Sequence, residues 1–139
     1  MNIEYINKIT PAEVNMLRRA VGWAEVSEEQ LKKGIPNSQF IISAKDGNKT
    51  VAMARAVGDG GYFLLLVEVM VLPEYQGHGI GRHMLTEFMS FVKSYVKPGQ
   101  TVSVNLMSAK GKEEFYKKFG FIERPDEKYG PGMFQIVCG

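Results

Sequence analysis

Apolar residues recur along this chain with two different periods, and each change of period marks where a strand should give way to a helix. Ile3, Tyr5 and Ile9 sit at alternate spacing within residues 2–9, which predicts a short strand. Thr10-Pro11-Ala12-Glu13 then has the form of a capping box. The Thr10 hydroxyl can accept from the third helical amide, Pro11 suits the first helical position, and Glu13 can reach back. Val14, Leu17 and Val21 give the helix one apolar face. Ser27-Glu28-Glu29-Gln30 is a second capping box, opening a short helix that Gly34 and Pro36 should stop.

Residues 39–44 and 50–55 are strand-like runs joined by Asp46-Gly47-Asn48-Lys49, a sequence suited to a hairpin turn. Gly58-Asp59-Gly60-Gly61 ends the second run and opens a third, Tyr62 to Leu72, so an antiparallel meander is expected. Ile80, Met84, Leu85, Phe88, Val92 and Tyr95 recur every three or four positions, predicting the longest helix, which Pro98-Gly99 should end. Thr101 to Met107 reads as a strand and Lys112 to Phe119 as a helix closed by Gly120. Phe121-Ile122 and Met133 to Val137 read as the last strands. The expected order is β, α, α, β, β, β, α, β, α, β, β.

Composition narrows the class. A chain of 139 residues, 45% apolar and 23% charged, fits one globular domain over residues 1–139. No stretch approaches the roughly 20 apolar residues of a membrane span. The N-terminus lacks a signal-peptide layout and Cys138 is the sole cysteine, so the cytoplasm is the default compartment. A net charge of +2 is too mild for a nucleic-acid partner. Lys110, Lys112, Lys117 and Lys118 cluster around Glu113 and Glu114. That cluster is either a solvated helix face or a local field for an anionic cofactor.

The candidate chemistry lies where the third strand-like run passes through Pro73-Glu74-Tyr75 into Gln76-Gly77-His78-Gly79-Ile80-Gly81-Arg82 and then the longest helix. Free amides at a helix start, carrying partial positive charge and few side chains, suit a phosphate. The dinucleotide pattern would need glycine where Arg82 stands, and the Walker pattern would need Gly-Lys-Ser or Gly-Lys-Thr, which is absent. His78 and His83 are five apart, off one helical face and without partners at ligand spacing, so no metal is proposed. Cys138 has no recognisable activating partner, so it is not read as a nucleophile.

Gln76-x-x-Gly79-x-Gly81 after a strand resembles the signature of the GCN5-related N-acetyltransferases, the GNAT family. The preceding run Val67 to Tyr75 has the family's form, and Glu114-Phe115-Tyr116-Lys117-Lys118-Phe119-Gly120-Phe121 is similar to its second signature. Ala109 and Lys112 stand where many members carry Asn and Ala. The likeness covers about residues 3–137, closest to small bacterial members, with a weaker likeness to plastid arylalkylamine acetyltransferases. It implies an α/β (α+β) fold with a mixed, mostly antiparallel sheet flanked by helices.

It also implies an acetyltransferase that uses acetyl-CoA as donor cosubstrate, without a metal, on a primary amine of a small molecule. Backbone groups of Met70, Val71 and Leu72 would hold the pantetheine arm, as in strand addition. The loop from Gln76, through the amides of Gly77, His78, Gly79, Ile80, Gly81 and Arg82, would hold the pyrophosphate. Tyr116 would present its hydroxyl to the cofactor sulfur as acid.

Glu68 is the one charge between Tyr62 and Leu72, and strict alternation puts it with Leu66 and Met70 on the face opposite Val67. A carboxylate there is costly unless paired or in a wet cavity. It reads either as the base for the amine, directly or through water, or as a structural partner of an arginine such as Arg55. Expected partners are therefore acetyl-CoA and a small amine, with a second copy of the chain as a candidate and neither nucleic acid nor membrane. The rival functions are acetylation of protein lysines or N-termini, and a non-catalytic acyl-CoA sensor.

Overall fold

The capping box expected at Thr10 forms in full, whereas at Ser27 only the cap itself forms, because the Gln30 side chain accepts from the Ser27 hydroxyl and not from its backbone amide. In a computed structural model that describes residues 1–139, the Glu13 amide donates to Thr10 Oγ1 at 3.2 Å and Glu13 Oε1 accepts from the Thr10 amide at 3.0 Å. The Gln30 amide donates to Ser27 Oγ at 3.2 Å. These caps satisfy amides that have no partner inside a helix. They open helix α1 (Pro11–Ala20), which follows strand β1 (Ile3–Ile6), and helix α2 (Glu28–Gly34).

Strands β2 (Phe40–Asp46), β3 (Lys49–Gly58) and β4 (Phe63–Val71) form the expected meander, and helix α3 (Ile80–Tyr95) leads to β5 (Ser103–Leu106). The sheet order is β1-β2-β3-β4-β5. Every pairing is antiparallel except β4 with β5, where α3 provides the crossover a parallel pair requires. Main-chain contacts group Met1–Leu106 as one compact unit and Met107–Gly139 as another.

In the first unit, residues paired across neighbouring strands share a face. Phe40, Ala56 and Leu66 lie in one such row, and Phe40 packs on Phe88 and Phe91 of α3 with ring centroids 5.4 and 5.2 Å apart. Ala52, Ala54 and Ala56 of β3 are wholly buried, and their small side chains leave room for the equally buried Phe88. Ile41, Arg55 and Val67 form the next row, on the opposite face. That face meets α1, whose Val14 and Leu17 are wholly buried. No helix is long and apolar enough to cross a membrane.

The second unit holds helix α4 (Glu113–Lys117), shorter than the expected 112–119. Its rings stack edge to face, Phe115 with Tyr116 and Phe119, and Tyr116 with Phe121. Asp126 accepts from the amides of Lys128 and Tyr129, closing a turn. The last two expected strands are not present: residues 121–122 and 133–137 form no ladder. Alternation gives a segment a face but not a partner edge, and Met133 and Ile136 stay 89% and 79% exposed.

Candidate functional site

The glycine loop is held from below and left open above. After β4 a 3-10 turn, Pro73–Tyr75, leads to Gln76 in extended conformation. The Tyr75 hydroxyl donates to Asp46 Oδ2 at 2.6 Å, which ties this turn to the β2–β3 hairpin. Accepting that bond holds the Asp46 carboxyl below its ordinary range, and donating it pushes the Tyr75 phenol up. Gln76 Nε2 donates to the Val71 carbonyl at 3.0 Å, so the side chain of the signature glutamine ties the loop to the strand end. The Ile80 side chain, 2% exposed, pins the first turn of α3 into the core.

Gly77 and Gly79 have φ of 80° and 81°, a region that favours glycine, and a Cβ built on either meets no atom within 4 Å. Open space therefore lies over the loop. Gly79 is the N-cap of α3 without a capping side chain, and the first helical bond runs from the His83 amide to the Gly79 carbonyl at 3.0 Å. The amides of Gly77, His78, Gly79, Ile80, Gly81 and Arg82 donate to no protein acceptor. Six unspent donors at the positive end of a 16-residue helix fit a diphosphate.

Beside this loop the sheet is unzipped. The β4–β5 ladder runs from Phe63↔Ser103 to Leu66↔Leu106 and stops. From Val67 to Val71, β4 is paired with β3 alone, so its other edge offers backbone donors and acceptors of the kind a pantetheine amide needs. Met70 and Leu72 bury their side chains, while the Leu72 amide bonds the Val51 carbonyl at 2.9 Å. The Val71 carbonyl has spent one lone pair on Gln76.

A β-bulge sits at the same place. Between the pairs Arg55↔Val67 and Met53↔Met70, Glu68 and Val69 together face Ala54. Glu68 has φ 51°, the one non-glycine residue with positive φ, a conformation that costs about 1–3 kcal/mol. The bulge overturns the strict alternation expected for Glu68. Its carboxylate lies on the face of Arg55 and α1: Oε1 accepts from Arg55 Nε at 2.5 Å and Oε2 from a terminal nitrogen of Arg18 at 2.9 Å.

The Glu68 side chain is 9% exposed. Removing one partner of such a pair costs about 3–5 kcal/mol when burial is complete. Sequence reasoning named Arg55 as a partner and missed Arg18. Arg18 follows the buried Leu17 in α1, and its guanidinium lies 5.6 Å from the ring centre of Trp23.

Tyr116 belongs to the second unit. Burial pushes its phenol up to about 12, so it holds its proton throughout the neutral range. Lys117 is pushed up by hydrogen bonds to Glu114 and Glu123 at 2.9 and 3.0 Å. Trp23, Tyr62 and Phe63 are exposed in the first unit, as are Tyr129, Met133 and Phe134 in the second. Cys138 is free and exposed.

The Acetyltransferase (GNAT) domain family matches residues 36–123. The chain is 31% identical over 118 residues to the uncharacterized N-acetyltransferase ycf52 of Pyropia yezoensis, covering 82% of this chain and 66% of that one. It is 27% identical over 127 residues to the chloroplastic serotonin N-acetyltransferase 2 of Oryza sativa subsp. japonica, covering 88% and 61%. The chain thus spans less than two thirds of these curated relatives' length. Among solved structures, a protein of unknown function from meticillin-resistant Staphylococcus aureus, described as a probable acetyltransferase, superposes with TM-score 0.87 at 28% identity, covering 98% of this chain and all of that one. With the matched family spanning the meander, the glycine loop and α4, the chain belongs to the GNAT acetyltransferase family.

Proposed function

We propose that the 139 residues act as one acetyl-CoA-dependent N-acetyltransferase domain that passes the acetyl group directly to a primary amine of a small molecule. The observation that carries this is the pairing of six unspent amides, residues 77–82, with the unzipped edge of β4. The amides grip the diphosphate, and backbone groups of Met70, Val71 and Leu72 hold the pantetheine arm. An amide of this edge also polarises the thioester carbonyl.

The amine nitrogen attacks the thioester carbon, an N–C bond forms and the C–S bond breaks. Glu68 takes the proton the amine must lose, directly or through one water, using a lone pair that Arg18 and Arg55 leave free. Tyr116 donates a hydrogen bond to the departing sulfur. Burial keeps the Tyr116 phenol protonated well above neutral pH, so it meets the sulfur as a hydrogen-bond donor. Tyr116 therefore stabilises the leaving group as a donor, and solvent supplies the final proton.

A small aromatic amine is the proposed acceptor. The serotonin N-acetyltransferase among the relatives supports it. The test is thiol release from acetyl-CoA with a panel of small amines beside lysine-bearing and N-terminal peptides. Release with aromatic amines is expected. Release with peptides alone would make the chain a protein acetyltransferase, and binding without release across the panel would make it a sensor.

A further inference from the structure

We propose that Arg18 and Arg55 are positioning residues: by gripping one oxygen each of Glu68 they hold the left-handed bulge in β4, and that bulge sets the open edge beside the glycine loop. The second half rests on the acetyl-CoA reading above. Glutamate has no intrinsic preference for φ 51°, so contacts around it must maintain that conformation. The contacts that do so are the two guanidinium bonds of 2.5 and 2.9 Å.

Both arginines are themselves anchored. Arg18 Nε donates to the Ala24 carbonyl at 2.5 Å beneath the Trp23 ring, and a terminal nitrogen of Arg55 donates to Ser38 Oγ at 3.0 Å. The grip on β4 is thereby fixed to the loop after α1 and to the segment entering β2. The bulge begins two positions after Leu66, the last residue of β4 paired to β5. Strand pairing thus ends where the clamped turn of the backbone begins.

Two substitutions at one position separate the conformation from the carboxylate. Glu68→Ala and Glu68→Gly both remove the clamp, but glycine adopts positive φ without strain. The expected result, by titration calorimetry with acetyl-CoA, is an affinity about tenfold weaker for Glu68→Ala and within about threefold of wild type for Glu68→Gly. Arg18→Leu and Arg55→Leu should weaken binding like Glu68→Ala, and Arg55→Lys, which keeps charge but loses the fork, should fall between.

Hydrogen exchange across residues 67–71 of the full chain, without acetyl-CoA, reads the clamp independently and should quicken about tenfold in both leucine variants. Unchanged exchange in both overturns the clamp, and equal affinities for Glu68→Ala and Glu68→Gly overturn the role of the bulge. If wild type fails to bind acetyl-CoA, the functional reading falls while exchange still decides the clamp.

Discussion

The side-chain amide of Gln76 donates to the carbonyl of Val71 at 3.0 Å, joining the glycine loop to the last residue of the unzipped strand. Two binding surfaces, one for phosphate and one for an amide-bearing arm, are registered by that one bond. A single neutral hydrogen bond contributes about 0.5–1.5 kcal/mol. Gln76→Ala should therefore weaken acetyl-CoA binding about two- to tenfold, with little change in melting temperature, because Gln76 is exposed. Calorimetry checks this, and an unchanged affinity would show that the loop keeps its place unaided.

Gly79 caps α3 at φ 81° with open space where a side chain would stand. In Gly79→Ala the methyl group meets no protein atom, so the cost is conformational, about 1–2 kcal/mol. Melting temperature should fall by about 2–6 °C. Acetyl-CoA affinity should fall by about tenfold or more, because the new methyl occupies the open space through which a phosphate reaches the amides. Loss of stability with full affinity would remove this loop from the binding site.

Tyr116→Phe removes a hydroxyl without disturbing the ring packing against Phe115 and Phe121. If that hydroxyl acts on the leaving sulfur, kcat should drop about a hundredfold while KM for acetyl-CoA stays within about twofold. Equal turnover would assign Tyr116 to packing alone.

The same phenol makes a prediction about stability. Burial raises its folded-state pKa from 10.0 to about 12, so between those values the unfolded chain has lost the proton that the folded chain keeps. Folding then weakens as pH rises. The stability is fully present below about pH 10 and is lost as pH rises through about 12, by about 2 kcal/mol at pH 12 itself, at 1.36 kcal/mol per unit. Tyr5, Tyr75 and Tyr95 are also raised, so the Tyr116 share is the difference between wild type and Tyr116→Phe in urea unfolding at pH 9 and pH 11.5. A Tyr116→Phe chain that loses as much stability as wild type would contradict it.

Local rules carried the reading furthest where they act over a few residues. The Thr10–Glu13 capping box, the Ser27 cap, the 46–49 turn and the apolar stripe Ile80, Met84, Leu85, Phe88 and Val92 are short-range patterns, and all appear in the fold. The glycine loop was legible for the same reason. Alternation failed at Glu68, because one extra residue resets which face every later side chain takes, and nothing in Val67-Glu68-Val69 signals a bulge. Arg18 is 50 positions from Glu68, and a pairing of that range is invisible to periodicity. The segment 133–137 had a strand's pattern and no edge to join.

The most direct test of the central claim is a titration of labelled protein with acetyl-CoA followed by amide NMR shifts. One bound molecule per chain is expected, with the largest shifts at the amides of residues 77–82 and at Met70, Val71 and Leu72, and turnover on addition of a suitable amine. Binding that leaves those amides unmoved, or no binding at millimolar acetyl-CoA, would contradict it.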